Sequence, residues 1–196
     1  MSWFFDRESF IAYYLQINQE INLTAIRDPA QFYLKHIVDS LMIKESIQIQ
    51  DHRKVCDVGT GWWFPLLVLA ISYPQTQFRW LDSTHKKLKI IAQIAEHIHI
   101  DNVHTIRSRA EKHHQVYDLI TCRAVAHSTT LLPLILHLVK PQGYIVLYKL
   151  YSVAEEEMLY EACRAAQLKL ISKHYYSLYD QDCKRVVYTI QSKKIS

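Results

Sequence analysis

The chain has 196 residues, 49% of them hydrophobic and 21% charged, with a formal net charge of +4. That length carries a substantial core in one globular unit without room for two, and the composition excludes disorder. The charge permits an anionic partner without demanding one. No run approaches the roughly 18 apolar residues of a membrane span, and the first residues lack the basic stretch and apolar run of a secretory signal. Glycine is the anomaly. Its three residues, Gly59, Gly61 and Gly143, make up about 1.5% of the chain, against an average near roughly 7%. The four cysteines, Cys56, Cys122, Cys163 and Cys183, form no C-x-x-C pair and are expected to be reduced thiols of a cytoplasmic protein.

From Ser2 to about Lys44 the apolar spacing is helical, with Phe5, Phe10, Ile11, Tyr14 and Leu15 on one stretch and Phe32, Leu34, Ile37, Val38 and Leu41 on the next. Asp28-Pro29 between them reads as a helix start, an aspartate capping free amides with proline at the first helical position. After Asp51 short apolar runs predict strands at Lys54 to Val58, Gln77 to Asp82, Asn102 to Ile106, Tyr117 to Cys122 and Tyr144 to Lys149. Helices are predicted at Pro65 to Tyr73, Ser83 to Ile98, Thr129 to Val139 and Val153 to Ala166. Leu168 to Tyr176 and Arg185 to Gln191 read as an antiparallel hairpin. Alternating strands and helices make βαβ units and a mostly parallel sheet covered on both faces. The expected organisation is one α/β unit over 1–196, with a helical extension at 1–50 and a cofactor-binding core at 51–196.

The first strand ends in Asp57-Val58-Gly59-Thr60-Gly61 just before a helix, the place where a doubly wound sheet binds its cofactor. Glycine there lets backbone approach a ligand. Asp82, at the end of the second strand, stands where a carboxylate meets two ribose hydroxyls. A dinucleotide is disfavoured, because G-x-G-x-x-G would need glycine where the chain has Phe64. An S-adenosylmethionine site needs no pyrophosphate cradle and fits Asp57, Gly59 and Gly61. The C-terminal hairpin also suits a Rossmann-like methyltransferase fold of seven strands.

Nearly the whole chain resembles the bacterial small-subunit ribosomal RNA guanine-N7 methyltransferases (the RsmG family, also called glucose-inhibited division protein B). The matching blocks run in order: Ile21 to Pro29, Lys35 to Leu41, Asp57 to Gly61 with Phe64-Pro65, Leu81-Asp82-Ser83 with Lys86-Lys87, Arg109-Ala110-Glu111, Cys122 to Ala126, and Lys140-Pro141 through Gly143 to Lys149. The resemblance implies that Asp57, Gly59, Thr60, Gly61 and Phe64 line a pocket for S-adenosylmethionine. It further implies that Asp82 meets the ribose, that Ala110 and Glu111 sit by the adenine, and that Arg123 completes the site. The substrate it implies is a guanine in a single-stranded loop of 16S ribosomal RNA, free or in the small ribosomal subunit, with Lys35, His36, Lys86, Lys87 and Lys149 as candidates to touch phosphates. A monomer without metal or membrane partner is expected. Guanine N7 carries an in-plane lone pair, so methyl transfer needs no general base, and Arg123 is assigned to orienting the substrate.

The loop departs from the family pattern G-T-G-A-G-F-P-G, reading Gly59-Thr60-Gly61-Trp62-Trp63-Phe64-Pro65-Leu66, and Leu150 stands where the family tends to have glycine. If the backbone at 63 needs positive φ, tryptophan there costs about 1–2 kcal/mol. One reading has Trp62 and Trp63 blocking or remodelling the pocket, leaving a non-catalytic RNA- or ribosome-binding homologue. The other has both turned outward, covering helix or stacking on RNA bases, with activity intact. A small-molecule methyltransferase is a third possibility.

Overall fold

In a computed structural model the described residues are 7–49, 54–59, 63–123, 125–178 and 184–193. The chain opens with α1 (Arg7–Ile21) and α2 (Pro29–Phe32). Asp28 caps α2 as expected, its carboxylate accepting from the Gln31 amide at 2.8 Å. The continuation is not a regular α-helix. It widens into a π-helical stretch, Tyr33–Val38, before α3 (Asp39–Leu41) and a 3-10 turn at Met42–Glu45.

The α/β core follows as β1 (Lys54–Val58), α4 (Leu66–Ser72), β2 (Gln77–Asp82), α5 (His85–His97), β3 (Val103–Arg107), β4 (Tyr117–Arg123), α6 (Ser128–Ile135), β5 (Val139–Leu150), α7 (Val153–Ala165), β6 (Lys169–Tyr176) and β7 (Arg185–Gln191). They form one seven-stranded sheet in the order β3-β2-β1-β4-β5-β7-β6, with β7 antiparallel to both neighbours and the other pairs parallel. This is the Rossmann-like methyltransferase sheet that the strand pattern predicts. One face is covered by the N-terminal helices with α4 and α5, through Tyr14, Phe32, Trp63, Leu67, Ile91 and their neighbours. On the other face, Leu131, Leu132 and Ile135 of α6 and Leu159 of α7 pack on Ile120, Ile145 and Tyr188. Burial on both faces explains why the central strands are continuous apolar runs.

Two boundaries differ from expectation. α6 ends at Ile135 rather than near Val139, two residues after Pro133, a residue that removes an amide donor from the helix. β5 begins at Val139, five residues early, because the β4–β5 register shifts between Tyr117 and Leu119 and takes in the intervening residues. Gly143 sits in this irregular stretch. A Cβ there would lie 2.8 Å from Val139 Cγ2 and 2.9 Å from the Lys140 carbonyl, so only glycine fits.

Candidate active site

Parallel pairing of β1 with β2 and β4 sets three functional groups at the carboxyl edge of the sheet. Asp57 is fully buried, and its carboxylate accepts from Thr121 Oγ1 on β4 at 2.6 Å. Asp82 is nearly buried, accepting from the Thr84 amide at 2.7 Å and facing Lys87 Nζ at 3.7 Å. Between them Gly59 has φ +66°, and its amide donates to the Leu81 carbonyl at 3.1 Å. A Cβ at Gly59 would meet Val125 at 3.4 Å, so the left-handed backbone, more than lack of space, selects glycine here. Thr60, Gly61 and Trp62 lie outside the described residues.

Beside this turn, Ala110 and Glu111 sit on a 3-10 turn, Ala110–Lys112, tied to β2 by the Ser108 amide donating to the Asp82 carbonyl at 3.2 Å. Glu111 is exposed, 3.8 Å from Arg109. Lys86 is exposed at the start of α5, and Lys87 is half-buried beside Asp82.

Trp63 has φ +79° and no exposed surface. Its ring meets Tyr14 of α1 edge-on at 5.2 Å. Of the two readings drawn from the sequence, the outward-turned one does not hold for Trp63: the indole is driven into the layer between the sheet and the helical extension. The backbone strain of about 1–2 kcal/mol is small beside about 4–6 kcal/mol for removing ~150–250 Å² of aromatic surface from water. Leu66 is buried in the same core and opens the first turn of α4.

Phe64 is buried too, stacked on His36 with ring centroids 4.4 Å apart and planes 10° from parallel. The His36 ring also meets Phe32 edge-on, and its Nε2 lies 3.3 Å from Thr24 Oγ1. Burial, reinforced by the Arg123, Arg185 and Lys35 charges, pushes the His36 imidazole down to about 3. A neutral, stacked ring offers no charge to a phosphate, so the RNA contact expected of His36 gives way to a packing role between the extension and the cofactor turn.

The π-helical stretch explains how the extension reaches Arg123. The Asp39 amide bonds to the carbonyls of His36 and Leu34, passing over that of Lys35. Lys35 O is thereby released from the helix and accepts from Arg123 Nη2 at 2.8 Å. Asp39, 1% exposed, adds its Oδ2 at 3.2 Å from Arg123 Nε, while its Oδ1 accepts from Tyr176 at 2.7 Å and from Arg185 Nη1 at 3.3 Å. Tyr148 on β5 donates to the Ser40 carbonyl at 2.7 Å.

Arg123, Tyr148, Tyr176 and Arg185 line a cleft of about 520 Å³ at the ends of β4 and β5, together with Lys149 and Glu155. Lys149 is not a free cation: its ammonium is 2.9 Å from Glu155 and also donates to the Ala126 carbonyl. Its expected phosphate contact is corrected accordingly. Burial pushes the Glu155 carboxyl up, but hydrogen bonds from Lys149, His127 and Ser128 outweigh it and hold the group at about 2. Ser128 donates both its amide and its hydroxyl to Glu155 Oε1, at 3.0 and 2.7 Å, so Glu155 caps the start of α6 from a neighbouring helix. Asp39, Tyr176, Arg185 and Glu155 were not read as site residues from the sequence. Asp39 alone lay in a recognisable block.

Residues 6–186 match the family model described as rRNA small subunit methyltransferase G. The chain belongs to this family. A protein named Ribosomal RNA small subunit methyltransferase G from a Thermoanaerobacter species is 35% identical over 161 residues, covering 78% of this chain and 67% of that one. A protein of the same name from Bacillus licheniformis is 31% identical over 199 residues, covering 96% of this chain and 83% of its own. Among solved structures, an O-methyltransferase from Bacillus cereus in complex with SAH superposes with a TM-score of 0.63 at 14% identity, covering 94% of this chain and 91% of that one, a likeness of fold. Family membership supports S-adenosylmethionine-dependent methylation of small-subunit ribosomal RNA. The residues present suit that cofactor: a left-handed glycine at the turn and a nearly buried Asp82 carboxylate at the adjoining strand end.

Proposed function

We propose that the protein methylates N7 of a guanine in a single-stranded loop of 16S ribosomal RNA. The observation that carries this reading is Arg123, held at the end of β4 by Lys35 O and Asp39 beside an open cleft and one strand away from the Asp57–Gly59 turn. S-adenosylmethionine, when bound, supplies an electrophilic methyl group. Asp57, Gly59, Phe64, Asp82, Ala110, Glu111 and Arg123, with Thr60 and Gly61 of the same loop, would hold it. Guanine N7 presents its lone pair at neutral pH, so no side chain has to remove a proton. The protein's task is to fix the base in line and exclude water. A guanidinium can donate to guanine O6 and set the ring plane, and Arg123 is placed to do so from the cleft wall. Exposed Lys86 would meet a phosphate, with half-buried Lys35 and Lys87, the latter shared with Asp82, as further cations near the site.

Of the two tryptophans on which the non-catalytic alternative rests, Trp63 supports the enzyme reading by packing into the hydrophobic layer against Tyr14. Incubation with small ribosomal subunits lacking the modification, followed by nucleoside analysis of their RNA, tests the proposal. 7-Methylguanosine is the expected product. Methylation of another atom would overturn the N7 assignment, and methylation only of small molecules would overturn the RNA reading.

A further inference from the structure

The loop that leaves β4 at Arg123 carries His127 at the extended position just before α6, and both residues line the cleft. The His127 side chain is 70% exposed, yet its ring is fixed, with Nδ1 2.6 Å from Glu155 Oε2. The partner is anchored more firmly still. Glu155 is buried, and its Oε1 accepts from the Ser128 amide, the Ser128 hydroxyl and the Lys149 ammonium at 3.0, 2.7 and 2.9 Å. Burial pushes its carboxyl up, but these hydrogen bonds bring it to about 2, so at neutral pH it is ionised and can only accept. The proton between carboxylate and ring therefore sits on Nδ1, which in the neutral imidazole leaves the lone pair on Nε2. No described residue hydrogen-bonds that nitrogen.

An acceptor at this place answers a need of the reaction. As guanine N7 takes the methyl group, the methyl–sulfur bond breaks with its electron pair left on sulfur, positive charge passes to the purine, and no proton leaves. Arg123 is itself a cation: it can set the ring plane through O6 but cannot favour that charge. Next to O6 on the base stand N1–H and the 2-amino group, donors whose hydrogen bonds strengthen as the ring becomes positive. A neutral acceptor on this edge therefore binds the transition state more tightly than the ground state. A carboxylate behind the imidazole fixes its tautomer and favours positive charge in front of it, as in a Ser-His-Asp triad.

We propose that His127 Nε2 accepts from the N1–H and 2-amino edge of the target guanine and favours the positive charge that forms on the base during methyl transfer. The proposal rests on the reading of guanine N7 in RNA as substrate. Glu155 is a positioning residue, acting through the ring it holds. Adenine would turn a lone pair at N1 toward the same acceptor, so the arrangement also selects guanine. The ring serves only while Nε2 is unprotonated. The charged groups around it are Glu155 of α7, Lys149 of β5, Arg123 and Arg185 in the same cleft with Asp39 behind them, and exposed Glu111 and Lys112 on the 3-10 turn that packs against α6.

The test follows methylation of unmodified small ribosomal subunits in single turnovers, which separate chemistry from binding, over a range of pH, with cofactor affinity measured by calorimetry. His127→Phe keeps an aromatic ring without an acceptor. It should lower the maximal rate about tenfold, as loss of a hydrogen bond that forms fully only in the transition state does, with the half-saturating subunit concentration and S-adenosylmethionine affinity unchanged. His127→Gln, whose amide oxygen can accept, should recover part of that rate, and it serves if the phenylalanine variant does not fold. The wild-type rate should fall as pH drops and Nε2 takes up a proton, whereas His127→Gln, whose acceptor does not titrate, should lack that fall. An unchanged rate in His127→Phe, a loss confined to subunit affinity, or the same acid fall in His127→Gln would overturn the proposal. A loss of cofactor affinity would also overturn it, placing His127 in the cofactor half. Wild-type protein that forms no 7-methylguanosine in subunit RNA would instead remove the substrate reading on which the proposal stands.

Discussion

The two halves of the site are built in different ways. The cofactor side is local: Asp57, Gly59 and Asp82 lie within 57–82 and are brought together by one parallel strand pair. The cleft side is assembled across the chain, from Lys35 and Asp39 on the extension, Arg123 on β4, Tyr148 on β5, and Tyr176 with Arg185 on the hairpin. A local half can be altered one residue at a time, whereas the distributed half depends on the extension staying docked. Trp63 and Phe64 join the two, since the loop that leaves the cofactor turn buries its rings against Tyr14 and His36 of the extension.

The comparison can be broken from either side. The largest effect is expected at Arg123, which serves the distributed half. Arg123→Ala should lower kcat/KM for methyl transfer by about 100-fold, as misplacing a reacting base does, while calorimetric binding of S-adenosylmethionine changes far less. A parallel collapse of both would place Arg123 chiefly in the cofactor half. Asp82→Ala should do the reverse, weakening cofactor binding on the order of ten- to a hundredfold through loss of a nearly buried charged acceptor, with subunit affinity kept. Trp63→Gly addresses the junction. Truncating a buried indole costs about 3–5 kcal/mol and relief of positive φ returns about 1–2, so chemical denaturation should show a net loss of about 2 kcal/mol.

The smallest effect concerns pH. The His36 ring, held at about 3 in the fold, titrates near 6.5 once the chain unfolds. Between these values the unfolded state binds the extra proton, so this contribution is complete above roughly pH 6.5 and is lost as pH falls toward 3. The limiting slope is about 1.4 kcal/mol per pH unit. Thermal melts from pH 7 to 5 should fall more steeply for the wild type than for His36→Phe. Equal slopes would mean that the ring is not held neutral.

Legibility followed the same division. Strands covered on both faces read as apolar runs, and the Asp57–Gly59 turn and Asp82 announce themselves by position at strand ends. The hairpin was legible from its alternation. What escaped depended on tertiary contacts between remote segments: Arg123 meets Lys35 across 88 positions and Arg185 meets Asp39 across 146. The π-helical widening at Tyr33–Val38 leaves no mark in apolar spacing, yet it frees the carbonyl that Arg123 uses. Lys149 and His36 are named as phosphate contacts from their places in the family blocks, which do not reveal the ion pair in one case and the aromatic stack in the other. Positive φ at 63 was anticipated from the missing glycine, but the direction of the indole was set by the hydrophobic space under α1.

The central claim is that the altered loop still serves a working cofactor site, because Trp63 and Leu66 have gone into the hydrophobic layer. Calorimetric titration of S-adenosylmethionine into the wild type and into Trp63→Gly combined with Leu66→Gly tests it most directly. The account predicts saturable binding to the wild type and no tighter binding to the double variant. No binding to the wild type, restored in the double variant, would contradict it.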